Sequence, residues 1–145
     1  MILNMKIKTI INIEISNTIF ERSGGFNYTD TYMPNATFTI NGSQFKNMNK
    51  ALGFEYNDQV NVNNTLFLNN NKGVYFTLAN VSNSAIYNTS ITIYDQFLFY
   101  PANVCLDYNY WGGEVPLYNN QTTYNPTIKL DYWIKRLLYR PDAAN

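Results

Sequence analysis

Apolar and polar positions along this 145-residue chain fall into a pattern that returns every nineteen to twenty-five residues. Ile15-Ser-Asn17-Thr18-Ile-Phe20, Ile40-Asn-Gly42-Ser43-Gln-Phe45, Val62-Asn-Asn64-Thr65-Leu-Phe67 and Val81-Ser-Asn83-Ser84-Ala-Ile86 are four copies, and Leu106-Asp-Tyr108-Asn109-Tyr-Trp111 is a weaker fifth. The anchors lie 25, 22, 19 and 25 residues apart. Self-similarity at that period marks stacked units rather than one globular core.

The copies predict their own geometry. Their first and sixth positions are apolar, yet an odd offset along one straight strand points to opposite faces. A bend must lie between them. Asn17, Gly42, Asn64 and Asn83 fill the third position and are the residue types that most readily take positive φ, so a left-handed corner there turns Phe20, Phe45, Phe67 and Ile86 back inward. Thr18, Ser43, Thr65 and Ser84 follow as small hydroxyls suited to bonding the backbone of such a corner. Tyr108 breaks the column, which places the end of the array there.

A second set of alternating segments, Gly25-Phe26-Asn-Tyr28, Gly53-Phe54-Glu-Tyr56, Gly73-Val74-Tyr-Phe76 and Ser90-Ile91-Thr-Ile93, predicts another strand per unit. Ala36-Thr-Phe38-Thr-Ile40 and Val60-Asn-Val62 supply a third, so each repeat reads as one three-sided coil. The fold class is therefore all-β, a parallel β-helix of about five to six coils. Its coils occupy residues 1–112, and a capping strand and tail occupy 113–145. Trp111 covers the axial opening, Gly112-Gly113 turns the chain across it, and Ile128, Leu130 and Trp133 form the cover.

Composition sharpens this picture. Asparagine accounts for 24 residues, aromatics for 17% and charged residues for only 14%. Asn-rich chains without regularly placed large apolar groups stay disordered, but here those groups are in register. Identical amides about 4.8 Å apart on successive coils can also bond in a ladder. Net charge is zero, which gives no electrostatic reason to bind nucleic acid or an anionic membrane. Cys105 is the sole cysteine, so no intrachain disulfide forms, and its place between Val104 and Leu106 suggests a buried thiol. The first fourteen residues are Ile-rich but contain neither a secretory signal pattern nor a membrane span, and read as one more coil of a longer β-helix with further coils upstream.

From Leu106 through Asn109-Tyr110-Trp111-Gly112-Gly113, Pro116 and Thr127-Ile128-Lys-Leu130-Asp131-Tyr132-Trp133-Ile134, the chain resembles the block that closes the right-handed parallel β-helix of adhesin-like surface proteins of methanogenic archaea. The match runs through Asn109, Tyr110, Trp111, Gly112, Pro116 and Trp133, while Gly113-Glu114-Val115 and Asp131-Tyr132 depart from that family's pattern. The coils from Ile15 to Val104 share the likeness. It implies an extracellular, cell-surface location, a non-enzymatic role in adhesion, display or spacing, and carbohydrate or a cell-surface protein as partner. Two other roles fit the same architecture: a carbohydrate-active β-helix module related to polysaccharide lyases or hydrolases, and a purely structural stalk.

Seven Asn-X-Ser/Thr sequons begin at Asn27, Asn35, Asn41, Asn63, Asn80, Asn88 and Asn120, against about three expected by chance. On a displayed protein Asn27, Asn35 and Asn120, in loops or on outward positions, are the candidate glycan acceptors. No catalytic constellation emerges. Histidine is absent, which removes the commonest general base and most zinc sites. Glu55 and Asp58 form the nearest carboxylate pair in mid-chain, but Asn57 and Gln59 beside them mark a solvated turn rather than a glycosidase cleft. Asp30 and Asp107 lack any calcium-loop spacing. No metal, cofactor or catalytic residue is expected.

Overall fold

The computed structural model describes residues 11–22, 26–28, 36–54, 59–95 and 101–136, with the backbone alone at 11, 26–28 and 54. Every helix or strand among them is a strand, and every strand pairing is parallel. One face of the solenoid is a six-rung sheet ordered β1 (Ile11–Ser16), β4 (Ala36–Asn41), β7 (Gln59–Asn63), β9 (Leu78–Ser82), β11 (Asn103–Cys105) and β14 (Thr127–Lys129). A second face stacks β2 (Ile19–Glu21), β5 (Gln44–Lys46), the first half of β8 (Leu66–Phe76), the first half of β10 (Ala85–Tyr94), β12 (Asn109–Tyr110) and β15 (Trp133–Ile134). A third carries β3 (Phe26–Tyr28), β6 (Lys50–Phe54), the second halves of β8 and β10, and β13 (Asn119–Gln121).

Strand alternation explains which side chains meet inside. Ala36, Phe38 and Ile40 of β4 are buried while Thr39 and Asn41 are exposed, the period-two signature of a strand with one face on a core. Ile15 pairs with Ile40, Ile40 with Val62 and Val62 with Val81, so each inward residue lies on its counterpart one turn away. On the second face Phe20 stacks on Phe45 at 4.9 Å and Phe45 on Phe67 at 5.4 Å, with ring planes 9° and 11° apart. Offset ring stacking adds about 0.5–1.5 kcal/mol per pair beyond the area buried. Ile86 and Trp111 extend this file.

The first corner lies where the pattern predicts it. Asn17, Gly42, Asn64 and Asn83 have φ of 50°, 63°, 50° and 50°. Beside them the hydroxyls form a second vertical file: Ser43 Oγ accepts from Thr18 N at 3.2 Å and donates to Asn41 O at 3.2 Å. Ser84 Oγ likewise accepts from Thr65 N at 3.1 Å and donates to Ser82 O at 2.9 Å. Ser43 and Ser84 thus each satisfy a backbone N–H of the preceding turn and a carbonyl of their own, while Thr18 and Thr65 donate to the carbonyls of Ser16 and Asn63.

Four expectations are corrected. Tyr108 does not end the array; at φ 64° it occupies the same corner, its N–H donates to Tyr132 O at 2.8 Å and its ring stacks on Tyr132 at 5.7 Å. The left-handed backbone of a bulky residue, which costs about 1–2 kcal/mol, is offset by that stack and by Asn109. Asn109 takes the hydroxyl's place: its Oδ1 accepts from Ser84 N at 3.0 Å, and its Nδ2 donates to Val81 O at 2.7 Å and Leu106 O at 3.0 Å. Strand pairing consequently runs past residue 112, with β14 on β11 and β15 on β12.

The second expectation set Gly53 level with Gly73 on the third face. Gly73 is level with Lys50; past an irregularity at Ala51, Leu52 is level with Val74 and Gly53 with Tyr75, a slip of two residues that keeps each side chain on its face. Third, Cys105 is half-buried rather than buried; Val104 and Leu106 point inward, so alternation turns the thiol between them outward. Fourth, Thr92, which the alternation of Ser90-Ile91-Thr-Ile93 turns outward, is buried at the pairing of β10 with β13.

Candidate functional site

A second corner, seven residues after each anchor, runs parallel to the first. Arg22, Asn47, Asn69, Asn88 and Gly113 all lie at positive φ there. Its outward amides form the ladder that an Asn-rich stack permits, with Asn88 Nδ2 donating to Asn69 Oδ1 at 3.0 Å and Asn69 Nδ2 to Asn47 Oδ1 at 3.5 Å. Just inside, the fully buried Asn70 holds three turns together. Its Oδ1 accepts from Met48 N at 3.1 Å, and its Nδ2 donates to Phe45 O at 3.0 Å and Thr89 Oγ1 at 3.1 Å.

Above this corner the segment from Glu114 to Tyr118 crosses to β13 and leaves a groove of about 540 Å³. One wall carries Asn69, Asn71, Asn88 and Ser90; the other carries Val115, Leu117 and Tyr118. Trp111 lines it as well. The indole is 7% exposed, and its Nε1 is buried without a hydrogen-bond partner. Val115 and Leu117 are strongly exposed. A shallower groove, about 300 Å³, runs along the first face past Glu14, Thr39, Asn61 and Asn80.

The residues of the closing block take distinct places. Trp111 belongs to the core of the fifth rung; Gly112, at φ 70°, passes close to the Tyr87 ring; Pro116 is half-buried in the crossing segment. Trp133 is half-buried on β15, level with Asn109 rather than Trp111, with Lys135 Nζ 5.7 Å from its ring centre. Of the candidate acceptors, Asn120 is exposed on β13, and its Oδ1 accepts from Thr122 N and Oγ1. Asn27 belongs to β3 by its backbone alone, while Asn35, Glu55 and Asp58 lie outside the described residues.

The most constrained charge is Asp107, whose side chain is 2% exposed. Its Oδ1 accepts from Asp131 N at 2.7 Å and Tyr132 N at 2.9 Å, and its Oδ2 meets Lys129 Nζ at 3.5 Å. Burial pushes the carboxyl up, but the two backbone donors and the lysine charge outweigh it and hold Asp107 below its ordinary value of 3.8. The bond to Asp107, reinforced by its charge, raises the Lys129 ammonium in turn. Both carboxylate oxygens are thus engaged in tying the last rung to the fifth. No group of metal-binding side chains occurs among the described residues, and no helix among them is long and apolar enough to cross a membrane.

Compared with known proteins, the chain matches no family model, no curated protein and no solved structure.

Proposed function

We propose that this chain is a non-enzymatic, adhesin-like segment displayed at a cell surface, where it serves adhesion, display or spacing. The observation that carries the reading is the pairing of six rungs with an outward amide ladder, Asn47 to Asn69 to Asn88. Such a stack holds equivalent polar groups at a fixed repeat along a stiff edge, which suits contact with an extended partner. The likeness of residues 106–134 to the closing block of archaeal adhesin-like proteins points the same way and adds the extracellular location.

The test is retention of beads coated with the whole chain on cell-wall preparations, with released reducing ends measured in parallel there and on pectin-like glycans. Retention without release is the expected result. Reproducible release of oligosaccharides overturns the non-enzymatic reading in favour of a carbohydrate-active module. Intact coating with no retention reduces the role to spacing.

A further inference from the structure

We infer that the groove between the second corner and residues 114–119 binds a neutral oligosaccharide, with Trp111 Nε1 donating to one of its oxygens. This deepens the adhesive reading above and rests on it.

The chemistry of the walls selects the ligand class. Asn69, Asn71, Asn88, Ser90 and Asn119 present amides and a hydroxyl, while Val115, Leu117 and Tyr118 present apolar surface across from them. A pyranose has the same division, with C–H groups on its faces and hydroxyls around its rim. Pockets that combine apolar walls with a few convergent polar groups bind small organic ligands. Glu114 is the one charged lining residue, which disfavours anionic sugars. A contiguous exposed apolar patch on a soluble surface also marks a contact site.

Trp111 supplies the independent observation. A buried indole N–H almost always finds an acceptor, yet this one has none. The groove lies against the indole, and an acceptor oxygen reaches the buried Nε1 only if the crossing segment Glu114 to Tyr118, which contains no strand, shifts on binding. A ligand hydroxyl or ring oxygen there supplies the acceptor that the indole N–H lacks.

The chain contains two tryptophans, so 15N-labelled protein shows two indole N–H resonances, and Trp133→Phe assigns them. Neutral hexasaccharides of glucose, mannose and N-acetylglucosamine are titrated in turn, with hexagalacturonate as the anionic counterpart. The expected result is a saturable shift of the Trp111 resonance with at least one neutral sugar and none with hexagalacturonate. Tyr118→Ala, at a surface position, should weaken that binding by about tenfold or more without moving the melting temperature, and Trp111→Phe should weaken it when binding is read by calorimetry. A Trp111 resonance that no neutral hexasaccharide moves, or a response that Tyr118→Ala leaves intact, overturns the inference. So does a shift that follows protein concentration without sugar, which would assign the groove to a second copy of the chain. Beads that remain bound to cell walls in the Tyr118→Ala form, with a silent Trp111, sink the groove and spare the adhesive reading. Released reducing ends sink that reading and leave the groove standing.

Discussion

The two corners of the solenoid solve one problem in different ways. At both, the chain takes positive φ and turns through the wall, leaving backbone groups that must be satisfied without water. The first corner uses a hydroxyl at every turn, Thr18, Ser43, Thr65 and Ser84, with Asn109 as the longer substitute at the fifth. The second concentrates the task in one buried amide, Asn70, backed by Thr89, and leaves the outward amides to bond along the surface. A distributed solution tolerates the loss of one member better than a concentrated one does, because a corner hydroxyl such as Ser84 serves two groups and Asn70 serves three.

The largest effect is expected where the second corner meets the third face. Gly73 sits at φ 69°, and a Cβ built there falls 1.8 Å from the Ser90 carbonyl oxygen, so neighbouring backbone has to move. Gly73→Ala should lose more than about 4 kcal/mol in urea unfolding; a loss under half of that would mean the two turns approach less closely than described. Next comes the contrast itself. Asn70→Ala strands Met48 N–H, removes a donor from Phe45 C=O and should cost about 2–4 kcal/mol, whereas Ser84→Ala should cost about 1–2 kcal/mol. Equal losses would erase the distinction between the corners.

The smallest effect concerns the far end of the first corner and depends on pH. Asp107 is held below its ordinary value, so it contributes stability above about pH 4, and that contribution disappears as pH falls through its folded value. Asp107→Asn keeps an acceptor for the Asp131 and Tyr132 N–H groups but loses the charge facing Lys129. The melting temperatures of the two forms should differ at pH 7 and converge toward pH 2. A gap that stays constant across that range would assign no role to ionisation.

Legibility followed the same division. The first corner could be read because no residue is inserted between Ile15 and Phe20 or their equivalents, so the offsets stay fixed and the residue types are few. The second has an equally constant offset and was missed because the residue after each corner, Met48, Asn70 or Thr89, differs in chemistry and gives no second column to confirm it. An offset count of seven from Ile15, Ile40, Val62 and Val81 would have exposed three asparagines in a row of four. Tyr108 was misread for a related reason: residue type suggested a break where stacking on Tyr132 and the reach of Asn109 sustain the corner. The groove was not legible, because it depends on how the crossing segment at 114–118 lies over the fourth turn. Even so, Trp111, drawn from the closing-block likeness, lines it, and Pro116 lies in the crossing segment.

The turns differ in length almost wholly at one place. Between third and first faces, Thr77 alone separates Phe76 from Leu78, whereas eight residues separate Tyr94 from Asn103. The shortest winding shows how little chain the circuit requires, and the longest shows that surplus is shunted to that vertex without disturbing the paired rungs. A foreign peptide spliced between Tyr94 and Asn103 would therefore hang from the rod as a graft, which makes this vertex a port for engineering and a route by which such rods diversify.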